Sequence, residues 1–170
     1  MRNGARGLLL TGLFAVGGCV EGVNRGWDFG GEPDPAGGPR MQQAWRGVHE
    51  GRIGFRCREG QIVLFVETWH PLKVPPGQRV PMELGYQFDV AGGQRETIRG
   101  MATSRGIEVP AEQVGDGASN TLLRGLRDDA DELLVTLDGA AHGISILFDI
   151  EDAAHAHRHV RDGCPASPQP

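Results

Sequence analysis

The sequence predicts a mainly β fold, a β-sandwich of about six to eight antiparallel strands with a short helix and a C-terminal helix closed by one disulfide. Apolar residues alternate with polar ones in several short runs, as in strands that bury one face. Residues that favour turns separate these runs, and an alanine-rich segment follows the last of them. We therefore expect one β-rich domain with a helix at its end.

The first two strands are expected to form a hairpin. IGFRC (53–57) leads through Gly60 into QIVLFVET (61–68). The second run is apolar on both faces, which indicates a central strand. The turn needs a residue with positive φ, and glycine takes that conformation without steric cost.

Further strands follow a loop. MELGYQFDV (82–90) alternates throughout, whereas QRETIRGMA (94–102) is more polar and is expected at an edge. IEVP (107–110) predicts a short strand. ELLVTL (132–137) and GISILFDI (143–150) predict the last hairpin.

Two helices are expected. SNTLLRGL (119–126) predicts a short one, with Ser119 or Asn120 as its N-cap. The second spans about 151–162, since it is rich in alanine, acidic at its start and basic at its end, and Gly163 is placed to stop it. Its buried stripe would consist of Ala153, Ala156, Val160 and Cys164, with His157 at the edge.

The N-terminus has the pattern of an export signal. Arg2 and Arg6 precede an apolar run from Leu8 to Val16, which is too short to cross a bilayer as a permanent helix. Gly17 and Gly18 then precede Cys19. This arrangement resembles the lipobox of bacterial lipoproteins, which implies acylation of Cys19; the alternative is an ordinary signal peptide with an incidental cysteine.

Four segments follow from this interpretation. Residues 1–18 are the expected lipoprotein signal peptide, 19–40 a lipidated flexible tether rich in glycine and proline, 41–164 the globular domain, and 165–170 a disordered tail. Losing the signal peptide changes the net charge from −5 to −7, because two arginines leave with it. An acidic domain has no electrostatic reason to bind nucleic acid.

The remaining cysteines predict a disulfide. With Cys19 acylated, Cys57 and Cys164 are left as an even pair in an oxidising compartment. Two free thiols or a metal thiolate are the alternatives. In the chain-entropy model, closing a loop of ~100 residues stabilises a fold by about 4.7 kcal/mol.

Catalytic motifs are not found in the sequence. It contains no Gly-x-Ser-x-Gly elbow, no phosphate-binding glycine loop and no His-Glu-x-x-His. We therefore expect neither an enzyme nor a cofactor. The expected contact surface is the loop that begins with Trp69, His70 and Pro71, because an exposed tryptophan in a proline-rich loop suits recognition. Alternatively, Trp69 covers the end of the sheet.

The last histidines allow two interpretations. On a helix, His155 and His159 lie one turn apart and away from the buried stripe. Such a pair near carboxylates is able to chelate a metal ion, and a periplasmic metal-binding protein is the alternative function. The more common arrangement is a solvated face with weak charge pairs.

Several short features between residues 50 and 164 resemble the TagO/VasI family of small exported proteins associated with type VI secretion. They are Phe55-Arg56-Cys57, Tyr86-Gln87-Phe88-Asp89, the segment from Leu122 to Leu126, and Phe148-Asp149-Ile150 followed by a helix that ends at Cys164. The resemblance implies a disulfide-closed β-sandwich with an accessory rather than a catalytic role.

These observations lead to one functional hypothesis. We expect a lipid-anchored, non-catalytic scaffold or accessory protein of the cell envelope, with the membrane and an unknown envelope protein as its partners. Val20 rather than aspartate follows Cys19, which favours the outer membrane, facing the periplasm.

Overall fold

Nine strands and one helix form within the residues that the computed structural model describes, namely 26–32, 41–89, 92–109, 125–126, 130–137 and 143–164. The strands are β1 (Asp28–Glu32), β2 (Met41–Val48), β3 (Gly51–Arg58), β4 (Gln61–Thr68), β5 (Val80–Phe88), β6 (Glu96–Thr103), β7 (Gly106–Val109), β8 (Glu132–Leu137) and β9 (Ile144–Asp149). The helix is α1 (Ala153–Asp162). The predicted signal peptide (1–18), Cys19 and the predicted tail (165–170) lie outside the described residues.

All nine strands belong to one antiparallel sheet, in the order β1-β2-β3-β4-β7-β6-β5-β8-β9. The predicted mainly β class is confirmed. In detail the fold differs from a sandwich of six to eight strands, because the strands form a single sheet that curls until β9 contacts β2 and β3. A strongly curled sheet buries one face against itself, which gives the same alternating pattern as two packed sheets.

The β3–β4 hairpin agrees with its prediction. Arg58 and Gln61 are paired across the turn, and Glu59 and Gly60 both have positive φ, 51° and 76°. These conformations match the right-handed twist of the flanking strands. β4 lies between β3 and β7, which confirms that the most apolar strand is central.

Two internal strands, β6 and β2, differ from what the sequence predicts. β6 lies between β5 and β7, so its predicted edge position is wrong. Its outer face is open to solvent, and polar residues are tolerated there in an internal strand. β2 was not predicted, because its buried residues include the polar Gln43 and Arg46, which are 3% and 4% exposed.

Arg46 joins the two sides of the curled sheet. Its guanidinium forms an ion pair with Asp149 of β9 and donates a second hydrogen bond, 3.2 Å long, to the carbonyl oxygen of Glu151. The hydrogen-bonded pairing of the strands does not close the sheet at this point. Side chains therefore connect β2 and β9.

The core fills the inside of the curl. Its largest fully buried side chains, apart from Phe65 on the other face, are Phe55, Phe148, Ile53, Leu64, Leu84, Ile107, Leu133, Leu137, Ile146 and Ile150. Gly125 and Leu126 are helical, and Leu126 is buried in this core. The other residues of the predicted helix 119–126 lie outside the described part of the chain.

Helix α1 packs on β2 and β3 and is bonded covalently to the sheet. It begins two residues after the predicted position, and Gly163 follows its last residue. The predicted buried stripe is confirmed, since Ala153, Ala156 and Val160 are all at most 2% exposed. The predicted disulfide between Cys57 and Cys164 is also confirmed, with a Cα–Cα distance of 5.4 Å.

Strand β1 lies within the segment that was predicted to be a tether. It pairs with β2 over five residues, and Trp27 just before it stacks on Phe55 with ring centroids 5.9 Å apart. The Trp27 indole N–H also donates to the carbonyl oxygen of Glu151 at 2.7 Å. A flexible tether through residues 28–32 is therefore wrong, because aromatic burial and backbone pairing outweigh the freedom of a glycine-rich chain.

We expect Trp27→Ala to lower the free energy of unfolding by about 2 kcal/mol, since it removes a large aromatic contact and a hydrogen bond. Trp27→Phe keeps a ring for stacking and should cost about 1 kcal/mol. Urea unfolding followed by circular dichroism measures both. Wild-type stability of Trp27→Ala would show that β1 is not part of the cooperative fold.

Candidate functional site

The segment that follows β4 lies beside a groove at one end of the sheet. Trp69 is 55% exposed, the highest value among the large apolar side chains of the described residues. The groove has a volume of about 340 Å³. We call it the Trp69 groove, and its lining consists of Arg52, Glu67, Thr68, Trp69, Pro71, Ser104 and Arg105.

Trp69 is exposed but held in place. Its backbone N–H donates to the carbonyl oxygen of Glu50 at 3.1 Å, and its indole N–H donates to the carbonyl oxygen of Val48, also at 3.1 Å. Val48 is the last residue of β2, and Glu50 lies in the turn between β2 and β3. The polar atom of the side chain is therefore satisfied within the protein, which leaves the apolar ring surface for contact with a partner.

The rest of the loop is fixed by buried side chains. Leu72 and Val74 are 3% and 5% exposed, and the N–H of Leu72 donates to the carbonyl oxygen of Ser104 at 2.9 Å. Pro71 and Lys73, which alternate with them, are exposed. The loop thus presents a short row of solvent-facing residues from a fixed backbone.

Glu67 is the carboxylate of the groove, and two arginines bind it. Arg52 donates from Nε at 2.7 Å, and Arg56 donates from a terminal nitrogen at 2.6 Å. Burial acts to raise the pKa of the Glu67 carboxyl, but the hydrogen bonds and charges of Arg56 and Arg52 outweigh it, so this pKa lies below its usual range. Glu67 is therefore ionised at neutral pH.

Glu108 of β7 extends this charge network along the outer face. Its carboxylate lies 2.7 Å from Arg58, 2.6 Å from Arg79 and 3.6 Å from Arg56. Four arginines thus share two carboxylates, Glu67 and Glu108. This face carries a positive excess, although the whole chain has a net charge of −5.

The ring of Phe65 packs against the arginine side chains of this charge network. Phe65 points away from the core, because its neighbours Leu64 and Val66 face inward, yet it is fully buried. It lies over Gly54, where an added Cβ would come within 2.7 Å of the ring. The Arg56 guanidinium covers the other side, 3.9 Å from the ring centroid.

The histidines of α1 divide into one buried and two exposed residues, and His157, which was predicted at the edge of the buried stripe, lies within it. His157 is 4% exposed and packs edge-on against Phe55. His155 and His159 are exposed, and the ring of Phe29 in β1 contacts both, with centroids 5.9 and 4.6 Å away. Within the described residues, no group of three or more histidine, cysteine or acidic side chains is arranged to hold a metal ion.

The sequence predicts the tryptophan loop as a contact surface but not the other side of the groove. Arg52, Ser104 and Arg105 come from two hairpins that are distant along the chain and were not assigned a role. The sequence does indicate one part of this charged face. Arg52, Arg56 and Arg58 occupy alternate positions along one strand and therefore lie on the same face of it. Their convergence with Ser104 depends on the β4–β7 pairing, which no local pattern predicts.

Comparisons with protein-family models, with curated proteins and with solved structures give no match. The resemblance to the TagO/VasI family therefore stays a prediction. Within the described residues, no helix has the length and apolar character needed to cross a bilayer.

We expect Glu67→Gln to lower the free energy of unfolding at pH 7 by about 1 to 3 kcal/mol, because it removes the charged carboxylate to which two partly buried guanidinium groups, those of Arg52 and Arg56, donate. In the wild-type protein, the stability that the ionised Glu67 contributes is fully present above the carboxyl pKa of the unfolded chain, about 4.3. It is lost as the pH falls through the lower pKa of Glu67 in the folded protein. The variant should therefore lose less stability than wild type between about pH 5 and pH 3. Urea titrations across this range measure the difference.

The control for this experiment is Glu83→Gln. Glu83 is 64% exposed and lies 3.8 Å from Arg99, which is 82% exposed. We expect a change within about 0.5 kcal/mol, as for most exposed ion pairs. Equal effects of the two substitutions would contradict a special contribution of Glu67.

Proposed function

We propose that this chain is a lipid-anchored, non-catalytic protein of the bacterial cell envelope that acts by binding through the Trp69 groove. The observation that carries the proposal is that Trp69 is more than half exposed while two hydrogen bonds fix its position. Fixed aromatic side chains lose little conformational entropy on binding and are frequent energetic centres of interfaces. The groove's carboxylate, Glu67, is already bound by two arginines, which favours recognition over acid–base chemistry.

Two features support a location in the envelope. The first is the charged, apolar and small-residue pattern that ends at Cys19. The second is the disulfide between Cys57 and Cys164, because such bonds persist in oxidising compartments outside the cytoplasm. Acyl groups on Cys19 would then hold the protein at a membrane, with the outer membrane as the proposed site.

The finer form of the proposal is an accessory or scaffold role alongside a type VI secretion apparatus, with an envelope protein as partner. Its support is the order of short features that resemble those of the TagO/VasI family, from Phe55-Arg56-Cys57 to the helix that ends at Cys164. The alternative function is metal binding by His155 and His159, which are both exposed on one side of α1.

The covalent part of the proposal is tested by mass spectrometry of the purified mature protein. We expect a chain that starts at an acylated Cys19 and contains no thiol that can be alkylated before reduction. After reduction, Cys57 and Cys164 should both be alkylated. An unmodified N-terminal residue would contradict the anchor, and free thiols in the native protein would contradict the predicted compartment.

The binding part is tested by photo-cross-linking in cells. We expect benzoylphenylalanine in place of His70 to form an adduct that Trp69→Ala abolishes. The same group in place of Leu147, which is 47% exposed on β9, serves as the control and should form none. Equal labelling at both positions, or an adduct that persists in Trp69→Ala, would contradict recognition by the groove.

Metal binding is separated from this function by titrating zinc into the purified protein. Under the proposed function we expect the melting temperature to stay unchanged. A rise that vanishes in the double variant His155→Ala, His159→Ala would favour the alternative.

A further inference from the structure

Strand β1 limits the distance between the folded domain and the proposed lipid anchor. Because β1 is paired with β2, the covalent link from Cys19 reaches the folded domain at Gly26 instead of at Met41. Seven residues span at most about 25 Å, whereas a link to Met41 would span about 75 Å. The domain is therefore confined to a layer close to the membrane that carries the acyl groups.

The direction of β1 determines which end of the sheet is closest to the anchor. β1 is antiparallel to β2, with Asp28 opposite Trp45, so its first residue lies towards the end where β2 turns into β3. The Trp69 groove is at the same end, since Trp69 donates a hydrogen bond to Glu50 in that turn. Across the sheet, β1 and β4 are three strand spacings apart, about 14 Å. A short link at this end brings the groove towards the membrane.

The side chains exposed there suit a phospholipid surface. Trp69 offers an apolar ring, which is the kind of group that is enriched where a bilayer meets water. Lys73 and Arg105 are exposed nearby and form no ion pair within the described residues, while Glu50 is the exposed acid of the adjoining turn. Each basic residue close to an anionic membrane contributes about 1 kcal/mol of attraction. Since the whole chain is acidic, this attraction has to come from a local surface.

We infer that the Trp69 end of the sheet faces the membrane that holds the anchor, and that Trp69, Lys73 and Arg105 contact its phospholipid headgroups. The inference rests on the proposed acylation of Cys19 and names the partner of the groove. The acyl groups and the short link from Cys19 to Gly26 keep the domain close to the membrane. The direction of β1 turns the Trp69 end of the sheet towards it, and the groove residues contact the headgroups.

The test uses the full mature protein, acylated and labelled with 5-fluorotryptophan, in bilayer discs of phosphatidylethanolamine and phosphatidylglycerol. Trp27 and Trp45 lie near the start of β1, on the side of the anchor, so the reference is a fluorotryptophan introduced by Gln61→Trp. Gln61 is exposed and begins β4, at the end of that strand opposite Trp69. A fraction of the lipid carries a nitroxide on its headgroup. We expect its enhancement of the fluorine relaxation rate to be at least threefold larger for Trp69 than for position 61.

Two further measurements make the test specific. The double variant Lys73→Glu, Arg105→Glu should lose at least half of the enhancement at Trp69, and discs of phosphatidylcholine alone should lower it in the wild-type protein. Equal enhancement at Trp69 and at position 61 would overturn the inference. An adduct from position 70 to an envelope protein, without enhancement at Trp69, would also overturn it while leaving the proposed binding function intact.

Discussion

The disulfide between Cys57 and Cys164 holds helix α1 on the inner face of the curled sheet, and the packing of the core depends on it. Within the described part of the chain, no backbone hydrogen bonds join β2 to β9, so the sheet is open there. The apolar interior would be exposed to solvent at this opening without another element packed against it. A helix of ten residues is too short to be stable alone. Its buried stripe consists mainly of alanine and valine, which bury little area. A bond that closes a loop of about 100 residues contributes up to about 4.7 kcal/mol, which is comparable with the whole stability of a domain this size. The stability of the fold therefore depends on this bond staying oxidised.

The N-terminal strand and the C-terminal helix complete the same part of the molecule. Trp27 binds the carbonyl oxygen of Glu151 just before α1, and Phe29 packs on the exposed histidines of that helix. Under the proposed acylation of Cys19, a force applied through the anchor would therefore act on β1, β2 and α1 together. A tether that joined the fold only at Met41 would load β2 alone.

The sequence predicted those elements whose pattern is determined by the core. β5, β8, β9 and α1 follow apolar periodicity closely, because one of their faces is buried, whereas β4 was recognised because it is apolar on both faces. β2 was missed because its buried side chains include Arg46, whose ion pair with Asp149 forms only when the sheet curls. The site divides in the same way. Trp69 could be recognised from its own neighbours, whereas Arg105 comes from a hairpin that lies beside it only after β4 pairs with β7.

The construction of the outer face explains how a small domain can present a fixed groove. Most binding loops lose conformational entropy when they bind, and this lowers affinity. Here the floor of the groove consists of strand residues. Phe65 packs against Gly54, and the guanidinium of Arg56 lies over its ring. This contact restricts the guanidinium, which donates a hydrogen bond to Glu67. The Trp69 ring is fixed from a separate hairpin. Because both parts are ordered before any partner arrives, most of the interaction energy of the ring would be retained as affinity.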